Sequence, residues 1–235
     1  MSRGSRISFA DKAMYKRQIA VTVGYVAMAL IGAFVCRYTE YRAGLANDLA
    51  AGIKWVFSFL PLLGLSGFIL AIYALSMFTR QPHTLGHIAL RLALLAVPLG
   101  ILVAAFRLVT PMPPAFLSGL SHWASKNVDI EAVQEWLATE GPAFVESHRG
   151  QCYVLGKTND YPECLTAFKP PYINFSPSAT EELTVEFRWG GGFQSWGLIV
   201  GPPAMKTAQT GRVDRGSESE YQHPVQPGAY VFLRN

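Results

Sequence analysis

The chain has 235 residues, of which 50% are hydrophobic and 15% charged, with a mean hydropathy of +0.21. A soluble domain carries about 25% charge, so part of this chain faces something other than water. The apolar content excludes a disordered chain, and three cysteines are too few for a mini-protein built on disulfides.

Charge is unevenly placed. Residues 1–107 hold 11 basic and 3 acidic side chains; residues 108–235 hold 9 and 13. The sequence pI near 9.0 therefore comes from the apolar half, where basic residues flank hydrophobic runs. No aromatic-interleaved basic groove accompanies them, which argues against a nucleic-acid partner.

Residues 1–18 form a basic amino-terminal segment with Arg3, Arg6, Lys12, Lys16 and Arg17 against Asp11 alone. Three apolar segments follow within residues 19–109, at about 19–36, 55–79 and 88–108. Ile19–Cys36 is an uncharged run of 18 and Trp55–Thr79 an uncharged run of 25; Ile88–Phe106 carries only Arg91. About 20 helical residues cross a 30 Å hydrocarbon core, so each segment is expected to span a bilayer. The first is too long for the core of a secretory signal, and Cys36-Arg37-Tyr38 offers no small-x-small cleavage site.

Small residues four apart occur at Ala29/Ala33, Gly67/Ala71 and Gly100/Ala104. Such spacing lets helix backbones approach closely and predicts either a compact three-helix bundle or a bundle that docks on another membrane subunit. The positive-inside rule places residues 1–18 and the loop with Arg80 in the cytoplasm. Three crossings then deliver everything beyond residue 110 to the periplasmic or extracellular side of the inner membrane. Cys152 and Cys164, both in that half, are expected to form a disulfide there.

Residues 110–128 read as a Pro-rich exit, Thr110-Pro-Met-Pro-Pro114, followed by an interfacial helix with Phe116, Leu117, Leu120 and Trp123 at helical spacing. A plain linker is the competing reading. Residues 129–235 are expected to form an exoplasmic α+β domain. Its helix begins at Asp129, a plausible N-cap, and turns Ile130, Val133, Trp136 and Leu137 to one side before Gly141-Pro142 ends it.

Strands are predicted at Cys152–Leu155, Tyr172–Phe175, Glu182–Trp189, Phe193–Val200 and Ala229–Leu233. The third is the clearest, with Leu183, Val185, Phe187 and Trp189 alternating with polar residues. Residues Lys206–Gln222 read as a long mobile loop. The fold class is thus a membrane α-helical region of three transmembrane helices plus a small C-terminal α+β domain with a mainly antiparallel sheet.

Chemistry-bearing motifs are scarce. Trp189-Gly-Gly-Gly-Phe-Gln-Ser-Trp196 is the most distinctive phrase. Trp189, Phe193 and Trp196 are candidates for an interaction or ligand surface; the plainer reading, which the pattern favours, makes them cross-strand core pairs beside a glycine turn. The phrase is neither a nucleophile elbow nor a P-loop. His83 and His87 share a helical spacing but have no third metal ligand nearby in sequence. No catalytic, cofactor or metal site is expected.

The apolar runs contain no central Asp, Glu or Lys, which a lone ion or proton pathway would need. The function expected is a multi-pass membrane protein anchoring an exoplasmic interaction domain. It would work as an accessory or assembly subunit of a membrane complex, or as an envelope sensor, with the lipid bilayer and other membrane subunits or further copies of itself as partners. The alternatives are a membrane-anchored envelope hydrolase acting on glycan or lipid, and a pore-forming effector.

Overall fold

The computed structural model describes residues 9–78, 92, 96, 100, 103–104, 113–148, 153–154, 161–177, 182–190, 194–205, 210–215 and 218–234. Two compact units result. One contains Met1–Thr39 and Ile53–Pro111, the other Glu40–Gly52 and Met112–Asn235.

Most of helix α1 (Phe9–Leu45, 37 residues) and of α2 (Leu49–Phe78, 30 residues, with Pro61 inside) belongs to the first unit. Tyr25 and Ala29 of α1 form a buried cluster with Leu63 and Leu70 of α2, and Phe59 packs against it. The Tyr25 hydroxyl donates to the Leu63 carbonyl at 3.4 Å. Outside this seam the helices are greasy. Leu30, Ile31 and Phe34 of α1, and Leu62, Phe68 and Ile69 of α2, are more than half exposed.

Among the described residues one segment, Ile19–Leu45, is long and apolar enough to cross a membrane; Pro61–Tyr73 is a shorter apolar stretch. Three transmembrane helices are therefore not supported, only the first. The third expected span lies mostly outside the described residues, of which Leu92, Ala96, Gly100, Val103 and Ala104 are helical.

The second unit is built on a seven-stranded antiparallel sheet of order β1-β2-β3-β4-β7-β6-β5. Six strands have five to nine residues: β2 (Tyr172–Pro177), β3 (Leu183–Trp189), β4 (Ser195–Val200), β5 (Gly211–Arg215), β6 (Glu218–Gln226) and β7 (Ala229–Arg234). The edge strand β1 (Tyr153–Val154) has two. The alternation read in Leu183–Trp189 sets the register: Val185, Phe187 and Trp189 pair with Val200, Leu198 and Trp196. Those residues and their β7 partners Ala229, Val231 and Leu233 form one apolar face.

Helices cover that face. They are α3 (Pro113–Asn127), α4 (Ile130–Thr139), α5 (Gly141–Ser147) and the short α6 (Glu163–Thr166). The Asp129 side chain caps α4 by accepting from the Ala132 N–H, and Ile130, Val133, Trp136 and Leu137 are buried as the spacing predicts. The segment expected to lie at a membrane interface is α3. Its Phe116, Leu117 and Leu120 are at most 2% exposed, because β6 and β7 lie against it and Ser121 donates to the Pro224 carbonyl at 2.9 Å.

Lys206–Gln222 is not one long loop. Gly211–Arg215 and Glu218–Gln226 pair as a hairpin, and β6 then pairs with β7. The pattern failed because β6 buries polar side chains: Glu220 is fully buried and Gln222 nearly so. Periodicity in hydrophobicity cannot reveal a strand whose buried side chains are polar and satisfied by an ion pair and hydrogen bonds.

Candidate functional site

Two constellations stand out in the second unit. The first is where the turn between α1 and α2 joins the sheet. Helix α1 ends in a Schellman motif: the Asp48 N–H reaches the Ala43 carbonyl at 2.9 Å and the Asn47 N–H reaches the Gly44 carbonyl at 3.0 Å. Asn47 takes the left-handed conformation this motif needs, with φ 51°. Asp48 then caps α2, its carboxylate accepting from the Ala50 N–H at 3.0 Å. With the backbone so fixed, the Asn47 amide oxygen accepts the indole N–H of Trp196 at 2.7 Å.

The last turns of α1 also cross α3 at backbone distance. A Cβ added at Gly44 would lie 2.7 Å from the Leu120 nitrogen and closer still to the Phe116 carbonyl oxygen. One added at Gly119 would lie 3.0 Å from the Leu45 nitrogen and closer to the Tyr41 carbonyl oxygen. Two glycines facing each other's backbones make a small-residue crossing of the kind that brings helices into closest contact.

The second constellation is polar and lies on the opposite face of the sheet. The Glu220 carboxylate accepts from Gln222 Nε2 at 2.6 Å and from Arg234 Nε and Nη2 at 3.0 and 2.7 Å. Arg234 also approaches Glu186 at 3.5 Å, and Glu186 accepts from Arg188 Nε at 2.8 Å. The guanidinium of Arg234 lies 4.7 Å over the Phe232 ring. Gly197, in register between Arg188 and Phe232, keeps this path clear, since a Cβ there would meet the Phe232 ring at 2.6 Å. Burial acts to lower the Arg234 pKa, but the hydrogen bonds it donates to Glu220 and the charges of Glu186 and Glu220 outweigh it, and the net shift is upward. The guanidinium is therefore a permanent cation. Both Glu220 oxygens are engaged by neighbours, a structural arrangement rather than that of a proton-transfer group.

Each residue singled out in the sequence has a place. Trp189 is buried, edge-on to Trp123 at 5.3 Å and tilted against Phe168 at 6.1 Å. Trp196 is half-buried and edge-on to Phe116 at 6.1 Å. The two are cross-strand partners; Phe193 lies outside the described residues. Ala29 is in the α1–α2 seam, and Gly67 receives the Tyr25 hydroxyl, 2.7 Å from where its Cβ would be. Ala33 and Ala71 are half-buried, whereas Gly100 and Ala104 are exposed.

The expected Cys152–Cys164 bridge is not supported. Cys164 carries a free thiol, and Cys152 lies outside the described residues. Cys164 sits half-buried on the single turn of α6. Burial raises its pKa, with smaller contributions in the same direction from the carboxylates of Glu140 and Asp129. That environment favours a protonated, inert thiol.

Sequence reasoning missed Gly44, Gly119, Asn47, Glu220 and Arg234. A signal existed for one of them: Ala115 and Gly119 have the same four-residue spacing as Ala29/Ala33 and Gly67/Ala71. No signal marked Glu220 and Arg234, since their partnership spans two strands. His83 and His87 lie outside the described residues. Among the described residues no group of three or more His, Cys, Asp or Glu is placed to hold a metal ion. Comparison with protein-family models, curated proteins and solved structures finds no match.

Proposed function

We propose that this chain is a multi-pass protein of the cytoplasmic membrane. Its amino-terminus faces the cytoplasm, and its carboxy-terminal unit works on the far side as an interaction module of a membrane complex or as an envelope sensor. The observation that carries this reading is the course of α1. The helix that holds the candidate span Ile19–Leu45 ends inside the sheet-bearing unit, at Gly44 and Asn47.

Two arguments support it. If α1 crosses the bilayer, the α1–α2 turn lies opposite the amino-terminus, and residues 112–235, which share its unit, lie there too. Residues 53–111 then leave that side and return, which needs an even number of crossings. The apolar runs 55–79 and 88–106 supply two, and the excess of basic residues before Ile19 fits a cytoplasmic start. A folded module that grips the end of a membrane helix is also suited to passing a binding event at the sheet into that helix.

The test has two arms. Alkaline phosphatase fused after Asn235 should be active and a fluorescent protein fused there dark, with the reverse for fusions in residues 81–87. Purification in mild detergent should retain a stoichiometric second membrane protein or a defined oligomer. A carboxy-terminal reporter active only inside the cell ends the topological reading. A strictly monomeric, partner-free protein ends the interaction reading.

A further inference from the structure

The α1–α2 hairpin carries a groove on one side. Two hollows of about 530 and 400 Å³ share Gly24 and Met28 in their walls. On α1 they follow Arg17, Val21, Gly24, Met28, Ile31 and Val35, a stripe with alternating steps of three and four residues. On α2 they follow Leu62, Ser66, Ile69 and Tyr73. From Arg17 to Val35 the stripe rises about 27 Å at 1.5 Å per residue, close to the thickness of a bilayer's hydrocarbon core.

The glycines of the hairpin differ in what stands beside them. The ring of Phe59 fills the space beside Gly32, and the Tyr25 hydroxyl fills that beside Gly67. Beside Gly24 no described residue comes within 4 Å. The groove's walls are apolar along their length, and its charged group, Arg17, stands at the end nearest the basic amino-terminal segment. Tyr73 of α2 lines the same hollow as Arg17. An occupant matching this pattern has a long apolar body and an anionic head at one end.

We propose that the groove seats an acyl chain of an anionic phospholipid from the cytoplasmic leaflet, with the lipid phosphate at Arg17. This rests on the membrane reading above. Arg17 supplies the charge that selects the headgroup. The open space at Gly24 admits the chain, and the distance from Arg17 to Met28, about 16 Å, matches one leaflet.

The test begins with alkaline carbonate extraction of membranes carrying the full chain. Release of the protein would sink the membrane reading itself. The retained protein is then purified in mild detergent, and native mass spectrometry measures the binding of phosphatidylglycerol in competition with phosphatidylcholine. The wild-type chain should retain phosphatidylglycerol about fivefold more, the factor that about 1 kcal/mol per basic side chain near an anionic surface corresponds to. Arg17→Ala should lose that preference and Arg17→Lys keep it. Gly24→Leu and Gly24→Phe should lower retention of both lipids.

Equal retention of the two lipids by the wild-type chain overturns the proposal while leaving the membrane reading intact, and it needs no variant that must fold. So does an intermolecular disulfide formed in membranes by Met28→Cys in a background lacking the native cysteines. That result would assign the groove to a second copy of the chain.

Discussion

A methyl group added at Gly44 sets two effects against each other. Alanine in place of glycine favours a helix by about 1 kcal/mol. At Gly44 the new Cβ meets backbone on α3, 2.7 Å from the Leu120 nitrogen, where ordinary contact needs about 3.5 Å. The two backbones must part by roughly 0.8 Å or more, and no rotamer change relieves a backbone clash. Overpacking of this kind costs about 1–3 kcal/mol, and parting the helices also strains the 2.7 Å bond from Trp196 to Asn47, worth about 1 kcal/mol.

The net expectation is a loss of about 2 kcal/mol, which lowers Tm by roughly 6–10 °C for a unit of this size. Gly24→Ala is the reference. It gains the same helix propensity and meets no described residue within 4 Å, so its Tm should hold or rise. Gly119→Ala should behave like Gly44→Ala, and the double variant should lose less than the two singles together, because one separation relieves both clashes. Near-ultraviolet circular dichroism of the detergent-solubilised protein, dominated by the tryptophans packed at this crossing, reports the transition. If Gly44→Ala and Gly24→Ala both raised Tm, the close approach of α1 and α3 would be refuted.

Three further outcomes follow from groups in the second unit. Arg234→Met removes a cation from beside the fully buried Glu220, so the urea midpoint should fall by the equivalent of about 3–5 kcal/mol. Adding Glu220→Gln should restore a good part of it, and a loss under about 1 kcal/mol in the single variant would contradict the buried pair. Burial lowers the His223 pKa from its ordinary 6.5, so below about pH 6.5 the unfolded chain takes up a proton that the folded one resists. Stability from this group is complete above that pH and declines as pH falls toward the folded value. His223→Gln should reduce the drop in Tm between pH 7.5 and pH 5.5, and an unaltered drop would exclude His223 as its source. The raised Cys164 pKa predicts slow alkylation by iodoacetamide at pH 7.4 that accelerates only above about pH 9; a rate matching that of a free thiol peptide at pH 7.4 would contradict it.

How much of this architecture could be read from the chain depended on whether burial used apolar residues. Helix α4 was legible in full, since Asp129 is a local cap and Ile130, Val133, Trp136 and Leu137 repeat with the helical period. Strand β3 was legible for the same reason with a period of two. The hairpin of β5 and β6 was not, because Glu220 and Gln222 occupy positions where the rule looks for valine or leucine, and Arg234, the partner of Glu220, lies 14 residues further on.

Helix α3 was placed correctly as a helix, but its apolar side was assigned to a membrane surface; nothing local says whether Phe116 and Leu120 meet lipid or a sheet. The crossing of α1 on α3 pairs residues some 75 positions apart, beyond the reach of any periodicity. The supposed disulfide rested on parity and compartment alone, and those considerations do not position thiols.

The order of the strands has a consequence for biosynthesis. β7, the last strand in chain order, is hydrogen-bonded between β4 and β6 near the middle of the sheet. Until Ala229–Arg234 leaves the ribosome, β1–β4 and β5–β6 are two separate ribbons with exposed edges, the state most open to proteases and to wrongful pairing. A translation product stopped before Ala229 lacks the strand that joins the two ribbons, so the fold separates chains that carry β7 from those that do not.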